Sequence, residues 1–399
     1  MSDDPAAGEG PRILVVDDND DNRYTLTLYL DLEGYSKVET AQDGEEAIAR
    51  LEVDAFDLVL LDVMMPKVDG YQVLTWIKGQ PRLRHLPVIM ISALNEMSSV
   101  VRCIELGAVD YLPKPFNPTL LKARLGATLE KKRLRDEIDE HLARLEEELN
   151  AARKLQMSMV PQSFPAPSAD FPIDLHASME PAREVGGDLY DFFMTEDGKL
   201  CFLVGDVSGK GMPAALFMAR AKSLIRIATD LMRSANGTSA PPADIIARVN
   251  RELCQDNGDM MFVTLFFAML APATGEIEFC NAGHNPPYHL NGQGAVAIEG
   301  GKGIILGVNP KAVYATGRLS LATGEGIYVF TDGVTEANNT AEELFGEPRL
   351  ETALRAAAAS GSAEIVKSVA EAVRGFVGNA LPFDDITMLA IRRLAAPAG

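Results

Sequence analysis

The run EKKRLRDEIDEHLARLEEELNAARKLQMSM, residues 130–159, divides the chain into two parts with different sequence patterns. It contains no glycine or proline and consists mainly of strong helix formers. Its apolar side chains recur at alternating steps of four and three residues, at Ile138, Leu142, Leu145, Leu149 and Ala152. This is the a and d spacing of a coiled coil, so we predict a coiled-coil linker helix over residues 126–160 that joins two copies of the chain as a homodimer. A solvated spacer helix is the alternative.

Prolines mark both ends of this predicted helix. The pair Asn117-Pro118 favours a helix start, and Pro161 favours a stop. The upstream leucines break the heptad pattern, with steps of four, four and five residues between Leu121, Leu125, Leu129 and Leu134. The first part of the helix is therefore either a coiled-coil stutter or a helix docked on a domain.

Length and charge restrict the class of protein. A chain of 399 residues with 47% hydrophobic residues is long enough for more than one core, and we predict two domains joined by the linker. The net charge of −20 disfavours nucleic acid and anionic membrane surfaces as partners, because both bind clustered lysine and arginine.

No apolar stretch has the length of a membrane span. Residues 1–10, predicted as a disordered tail, lack the apolar core of a signal peptide, so we expect a cytoplasmic protein.

Residues 11–125, the front domain, alternate short apolar runs with helical patterns. The runs are ILVV, LVLL, VIMIS and YLPKP, and helical patterns fall near residues 22–32, 71–78 and 97–106. Alternating strands and helices predict a doubly wound α/β domain with a parallel sheet. In such a domain, ligands bind beyond the carboxyl ends of the strands.

Polar residues stand at those predicted strand ends. Asp17 and Asp18 follow the first run and Asp62 follows the second, while Ser92 and Lys114 follow the third and fourth. Several carboxylates beside one lysine favour a hard divalent cation. A carboxylate next to such a cation can accept a phosphoryl group, whose oxygens Ser92 and Lys114 would then bind.

These motifs resemble the receiver domain of bacterial response regulators. The resemblance rests on VVDD (15–18), LLDVMMPKVDG (60–70), MISA (90–93) and DYLPKPF (110–116). It implies a five-stranded parallel sheet and phosphorylation of Asp62 by a histidine kinase. It also implies Mg2+ held by Asp18, Asp62 and the carbonyl of Met64, with Asp17 in the same acidic cluster.

The resemblance further implies a switch in the front domain. Ser92 and Tyr111 would be the hydroxyl and the aromatic ring that repack when phosphate arrives, and packing at the sheet edge is the alternative for Tyr111. A cis peptide bond would precede Pro115.

Residues 161–396, the back domain, have a different pattern of apolar residues. Six apolar runs between turn residues predict antiparallel strands: IDLHASM, LYDFFM, KLCFLVGD, FVTLFFAML, GEIEFCNAG and GIYVFTDG. Helical patterns fall near residues 212–232, 243–254 and 363–376. Strand runs separated from helix runs predict an α+β domain of stacked sheets with helices outside.

Aspartates end or follow several of these strands, most of them next to glycine: Asp188, Asp206, Asp332, Asp384 and Asp385. Clustered carboxylates repel one another unless cations neutralise them, so the pattern favours a site for two hard metal ions. Two such ions can clamp a phosphoryl group for attack by a shared hydroxide. Each aspartate taken alone is also a common turn residue or helix cap.

These motifs resemble the metal-dependent protein phosphatase family (protein phosphatase 2C-like), in its bacterial SpoIIE-type branch. The resemblance covers about residues 155–395 and rests on RKLQMSMVP, EVGGDLYDFF, GDVSGKGMPAAL, TLFFAML, CNAGHNPP, FTDGVTEA and DDITML. It implies a β-sandwich with αββα layers and activity as a serine/threonine protein phosphatase.

The same resemblance implies ligands for two Mn2+ or Mg2+ ions. Asp206 would bridge both ions. Asp332 and Asp384 would complete the site of one ion, and Asp188 with the carbonyl of Val207 would complete the other.

Three further residues leave alternatives open. Asp385 is the alternative ligand in place of Asp384. Arg183 precedes Asp188 by five residues and is a candidate for binding substrate phosphate, or a surface ion-pair partner. His284 lies in the turn motif GHNPP, and we interpret it as structural rather than as a general acid.

Together, the two resemblances imply a two-component response regulator whose output removes phosphate from phosphoserine or phosphothreonine on a protein. Its partners would be a histidine kinase as phosphoryl donor and, by analogy with the SpoIIE-type branch, a phosphorylated anti-sigma-factor antagonist as substrate. Phosphorylation of Asp62 would control this output through the linker. The alternative is a phosphorylation-dependent adaptor that binds a partner through a catalytically weak phosphatase-like domain.

Overall fold

The computed structural model describes residues 10–93, 97–183, 185–233, 237–292 and 294–395. The chain divides into two compact units, residues 1–145 and 146–399. Apart from Gly10, the predicted disordered tail lies outside the described residues. Within the described ranges, no helix combines the length and the apolar character needed to cross a membrane.

The first unit has a doubly wound α/β fold. Its elements are β1 (Arg12–Val16), α1 (Asp20–Leu32), β2 (Lys37–Ala41), α2 (Gly44–Val53), β3 (Leu58–Asp62), α3 (Gly70–Gly79), β4 (Val88–Ser92), α4 (Met97–Glu105), β5 (Asp110–Pro113) and the start of α5 (Pro118–Met159). The strands form one parallel sheet in the order β2-β1-β3-β4-β5. The predicted five-stranded parallel sheet is therefore confirmed, although the sequence patterns did not identify β2 and α2.

The strands of this sheet are buried on both faces. Leu14 and Val16 of β1 pack into the core on one face, and Ile13 and Val15 pack into the core on the other. This alternation follows from the two-residue period of a strand. Since helices cover both faces, the polar residues of the sheet are concentrated at the strand ends.

Helix α5 begins at Pro118 and ends at Met159, close to the predicted limits. Leu121 and Leu125 are buried in the core of the first unit, and Leu129 packs against that core. The broken heptad at the start of the helix is thus a docked segment rather than a stutter. Helix α5 also starts eight residues before the predicted linker boundary at residue 126.

The predicted coiled-coil seam begins beyond the docked segment. Ile138, Leu142 and Leu145 expose 58%, 54% and 54% of their surface in the single chain. Exposure of several large apolar side chains at a and d positions is compatible with a partner helix, and the coiled coil stays a prediction.

The second unit contains two sheets and four helices of its own among the described residues. Its elements are β6 (Ile173–Glu180), β7 (Leu189–Met194), β8 (Leu200–Val207), α6 (Met212–Leu231), α7 (Pro242–Leu253), β9 (Val263–Leu270), β10 (Glu276–Ala282), β11 (Tyr288–Asn291), β12 (Gly294–Ala297), β13 (Lys302–Gly303), β14 (Gly317–Ser320), β15 (Gly326–Phe330), a 3-10 turn (Asp332–Val334), α8 (Gly346–Ala357), α9 (Ser362–Val377) and β16 (Ile386–Arg393). One sheet has the order β13-β10-β9-β8-β7, with β14 also paired to β10, and the other has the order β12-β11-β15-β16-β6. The pairing is antiparallel except between β10 and β13, so the first sheet is mixed.

Three apolar cores lie in successive layers of this unit. The first core joins helices α6 and α7 to one sheet and includes Phe217 and Phe267. The second lies between the two sheets and includes Phe202 and Phe266. The third joins the other sheet to α8 and α9. This arrangement corresponds to the predicted αββα layers, although α8 and the strands β11–β14 and β16 were not predicted individually.

Replacing a docked leucine of α5 is expected to destabilise the first unit. Leu125→Ala removes a side chain with 0% exposure, and such core truncations lower the free energy of unfolding by about 2–5 kcal/mol. Leu32→Ala, on α1 and at 72% exposure, is the matched control and should change this free energy by about 0.5 kcal/mol at most. Trp76, the only tryptophan of the chain, packs against the core of the first unit, so its fluorescence during urea unfolding reports on this unit. Equal effects of the two substitutions would contradict the docked assignment.

Candidate functional sites

Three carboxylates meet at the carboxyl edge of the first unit's sheet. Asp17 and Asp18 follow β1, and Asp62 ends β3. One oxygen from each side chain lies within 4.8 Å of the other two. Asp17 and Asp62 are buried, whereas Asp18 is exposed. Three oxygen donors at this spacing fit one hard divalent cation.

Lys114 supplies positive charge to this cluster. Its Nζ lies 2.8 Å from Oδ2 of Asp17 and 2.8 Å from Oδ2 of Asp62. Burial raises the pKa of Asp62, the hydrogen bond from Lys114 lowers it, and the charge of Asp17 raises it further. Burial opposes the charge of Lys114, but its hydrogen bonds to Asp17 and Asp62 raise its pKa overall. Among the described residues, no donor makes a hydrogen bond of normal geometry to the buried Oδ1 of Asp62, so this oxygen is available to a ligand.

The other predicted receiver residues lie close to this cluster in the sheet. Ser92 ends β4 and is buried, and Oη of Tyr111 donates a hydrogen bond to the carbonyl oxygen of Ser92 at 3.3 Å. The peptide bond between Lys114 and Pro115 is cis, as the resemblance implies. The switch role of Ser92 and Tyr111 and the ligand role of the Met64 carbonyl stay predictions.

Four segments of the second unit carry the other predicted carboxylates. Asp188 directly precedes β7, and Asp206 lies on β8, in one sheet. Asp332 begins the 3-10 turn after β15, and Asp384 lies just before β16, in the other sheet. Asp206 interacts electrostatically with Asp332, Asp384 and Asp385 and makes a hydrogen bond with Asp188. Residues from both sheets are thus brought together at one site.

In the second site, burial and repulsion between the carboxylates disfavour their charged forms. Burial, followed by the charge of Asp206, raises the pKa of Asp188 well above its usual value. Burial and the charges of Asp332 and Asp384 raise the pKa of Asp206 to about 7. Burial and the charge of Asp384 likewise raise the pKa of Asp332. Cations bound between these groups would relieve the repulsion.

The donor set of the second site consists of oxygen atoms, which suits Mn2+ or Mg2+. In the described part of the chain, no three of these carboxylates lie within 4.8 Å of one another, in contrast to the site of the first unit. The assignment of these carboxylates as ligands of two ions stays a prediction.

A hydrogen bond between the two sheets orients Asp188. Oγ1 of Thr331, at the end of β15, donates to Oδ2 of Asp188 at 2.8 Å. The same Oγ1 accepts from the backbone nitrogen of Thr387 at 3.0 Å, so the hydroxyl both donates and accepts a hydrogen bond. Sequence analysis missed Thr331, although it directly precedes Asp332 in the motif FTDGV.

The two adjacent aspartates before β16 make different contacts. Asp385 accepts hydrogen bonds from the backbone nitrogens of Ala182 and Gly187, one on each oxygen and both at 2.8 Å. A Cβ atom at Gly186 would lie 2.0 Å from Oδ2 of Asp385, so the glycine is required for this approach. Oδ2 of Asp384 instead lies 3.0 Å from Nζ of Lys210. Both oxygens of Asp385 thus contact the segment before Asp188, and the ligand role of Asp384 stays a prediction.

The predicted backbone ligand lies against the same loop. A Cβ atom at Gly187 would lie 2.6 Å from the carbonyl oxygen of Val207, so the two segments are in close contact. Arg183 is exposed, and within the described residues it forms no ion pair with the aspartates of the site. The roles of Val207 and Arg183 stay predictions.

His284 is buried near this site. Its Nδ1 lies 2.9 Å from Oγ1 of Thr264, the residue paired with Asp206 across β8 and β9. Its backbone nitrogen donates to Oδ1 of Asn281 at 2.8 Å. Burial lowers the pKa of His284 to about 4, so the ring is neutral near pH 7. These contacts agree with the structural interpretation of His284.

Comparison with known families and proteins gives matches for both units. The family model "Response regulator receiver domain" matches residues 13–126, and the model "Stage II sporulation protein E (SpoIIE)" matches residues 196–394. Protein IcfG of Synechocystis sp. is 32% identical over 266 residues, which cover 62% of this chain and 41% of that protein. Phosphoserine phosphatase RsbU of Bacillus subtilis is 28% identical over 250 residues, which cover 62% of this chain and 71% of that protein.

Other known proteins match a single unit of the chain. Response regulator PleD of Caulobacter vibrioides is 42% identical over 127 residues, which cover 32% of this chain and 28% of that protein. The chain spans less than half the length of the first curated relatives it matches. The solved SiaA-PP2C domain of Pseudomonas aeruginosa has a TM-score of 0.55 at 21% identity, over 63% of this chain and 98% of that chain, which is a likeness of fold. The chain therefore joins a response regulator receiver domain to a SpoIIE-family domain with a protein phosphatase 2C-like fold.

Proposed function

We propose that this chain is a response regulator that acts as a metal-dependent protein serine/threonine phosphatase under the control of Asp62. A histidine kinase supplies the phosphoryl group to Asp62, and the second unit hydrolyses phosphoserine or phosphothreonine on a protein substrate. The observation that carries this proposal is the grouping of Asp188, Asp206, Asp332 and Asp384 from two different sheets around one site.

The residues of the second unit have separate tasks in this proposal. Asp206 interacts with the other carboxylates and would be a ligand to both ions, while Asp188 is oriented by Thr331. Lys210 neutralises part of the charge of Asp384. Mn2+ or Mg2+ held by these residues would activate water for attack and act as a Lewis acid toward the phosphoryl oxygens. In this proposal no side chain of the second unit forms a covalent intermediate.

The substrate class follows from the family. Phosphoserine phosphatase RsbU, by its name, acts on phosphoserine, and this supports a phosphoprotein substrate here. By analogy with the SpoIIE-type branch, we propose a phosphorylated anti-sigma-factor antagonist as the target. The adaptor alternative gains no support from the geometry, because Asp206 interacts with the other predicted carboxylates.

Asp62 has the environment expected of a phosphoryl acceptor. It is buried beside Asp17 and Lys114, and its Oδ1 has no hydrogen bond of normal geometry among the described residues. Asp17, Asp18 and Asp62 would hold Mg2+, which screens the repulsion between Asp62 and an incoming phosphate. Lys114 is placed to bind a phosphoryl oxygen.

Loss of the bridging carboxylate should abolish hydrolysis. Asp206→Asn keeps the side-chain size but removes the charge, and we expect the Mn2+-dependent hydrolysis of an aryl phosphate to fall by more than about 100-fold, since loss of outer-shell partners alone costs 10–100-fold. Asp170→Asn, at an exposed aspartate, is the matched control and should retain wild-type turnover. Wild-type activity in Asp206→Asn would rule out the assigned site.

Occupation of Asp62 should change the phosphatase rate. Beryllofluoride, a phosphoryl mimic, is expected to alter turnover of the wild-type chain by about fivefold or more, in either direction, which is the lower range of allosteric coupling. Asp62→Asn removes the acceptor carboxylate and should give the same rate with and without beryllofluoride. Equal rates in the wild-type chain under both conditions would show that the two units are uncoupled.

The seam of α5 should determine the oligomeric state. Ile138→Glu combined with Leu142→Glu places charges at a and d positions, and we expect light scattering to show a monomer at concentrations where the wild-type chain is a dimer. Ala143→Glu combined with Arg144→Glu lies off the seam and should leave the dimer intact. A wild-type monomer at all accessible concentrations would support the solvated spacer instead.

A further inference from the structure

The last turns of α5 contact the loop that precedes Asp188. Gln156 lies on α5 and is only 4% exposed. Its Nε2 donates to the carbonyl oxygen of Gly186 at 2.6 Å, and its Oε1 accepts from the nitrogen of Gly186 at 3.1 Å. One planar amide therefore satisfies both backbone groups of a single buried residue, as a neighbouring strand would.

The same loop is held from a second direction by Asp385. Oδ2 of Asp385 accepts from the nitrogen of Gly187, and Gly187 itself packs against the carbonyl of Val207. The residues that follow Gly186 thus lead directly to Asp188 and contact Val207, the two proposed ligands of one ion. A displacement of Gly186 would therefore act first on Asp188, which lies two residues further along the chain.

Neighbouring polar side chains at the end of α5 do not reach this loop. Oγ of Ser158 donates to the carbonyl of Leu155 in the same helix. Nε2 of Gln162, which is exposed, donates to the carbonyls of Met157 and Val160. Within the described residues of this segment, the connection to the loop is specific to Gln156.

We propose that Gln156 is a positioning residue that ties the end of the linker helix to the metal-binding loop, and this rests on the metal site of the proposed function. One residue of an α-helix corresponds to a rise of about 1.5 Å and a turn of about 100°. A shift of α5 by one residue therefore removes both hydrogen bonds at once. The backbone of Gly186 then loses its partners in a buried place, and the orientation of Asp188 changes with it. The position of the helix end and the arrangement of the ligands are coupled through this one amide.

The test measures Mn2+ binding to the full-length chain by titration calorimetry, together with hydrogen exchange of the Gly186 and Gly187 amides. Gln156→Ala is expected to weaken Mn2+ binding by about 10-fold or more, as loss of an outer-shell partner does, and to speed exchange at Gly186. Gln156→Glu keeps the size and the acceptor but cannot donate to the Gly186 carbonyl, and should also weaken binding. Gln162→Ala is the matched control, with the same residue type in the same segment, and should behave as wild type.

Several outcomes would overturn the proposal. Unchanged Mn2+ affinity and unchanged exchange at Gly186 in Gln156→Ala would do so directly. Lower thermal stability of Gln156→Ala with wild-type Mn2+ affinity would give Gln156 a purely structural role. If Gln156→Ala does not fold, Gln156→Glu decides by the same two measurements. If the wild-type chain binds no Mn2+, the proposed function fails, and exchange at Gly186 then decides the positioning role by itself.

Discussion

Repulsion between buried carboxylates is the constraint on which both candidate sites depend. In the first unit the chain provides its own counter-charge, because Lys114 lies 2.8 Å from both Asp17 and Asp62. In the second unit, the described cation in contact with the site is Lys210, which pairs with Asp384 at the edge of the group. Burial and neighbouring negative charge raise the pKa of Asp188 and that of Asp206, so added positive charge would favour their charged forms. In both sites the carboxylates outnumber the neighbouring lysine, which favours the binding of cations.

In the second unit, hydrogen bonds from neutral groups hold Asp188 and Asp385 in place. Asp385 accepts two backbone hydrogen bonds and fixes the loop before Asp188, and Thr331 connects Asp188 to the second sheet. A hydrogen bond from a neutral group orients a carboxylate without cancelling the charge that a metal needs. The glycine at position 186 allows this arrangement, because a side chain there would occupy the position of the Asp385 carboxylate. The acidic motifs and their glycines are thus parts of one structure.

Predictions from the sequence succeeded where burial imposes a clear pattern. The strands β1, β3 and β4 are buried on both faces, so their apolar runs were identified. Strand β2 (Lys37–Ala41) was missed because it lies at the sheet edge, where Lys37 and Glu39 are only partly buried and the sequence carries few apolar residues. The sequence left Asp385 open as the alternative to Asp384, and it could not show the two backbone hydrogen bonds that Asp385 accepts. The sequence did not identify Gln156 and Thr331, because their hydrogen-bond partners lie 30 and 143 residues away in the chain.

The middle of α5 differs physically from both of its ends. At the start, Leu121 and Leu125 are buried in a core, and at the end Gln156 and Val160 are buried in the second unit. Between them, an ion pair from Lys132 to Asp57 ties the helix to the first unit. Further along, the helix has its own hydrogen bonds and exposed ion pairs, in which Arg133 bonds to Glu130 and Glu137.

Exposed pairs of this kind contribute little to stability, because solvent screens them. A helical segment without tertiary packing is marginally stable in water, and most helical stability in proteins comes from burial of an apolar face. The apolar face of this segment is the seam at Ile138, Leu142 and Leu145, which the single chain leaves exposed. Pairing of that seam with a second copy would bury it and stabilise the segment. Since the seam and Gln156 lie on one helix, the proposed association and the proposed positioning role would act on the same element.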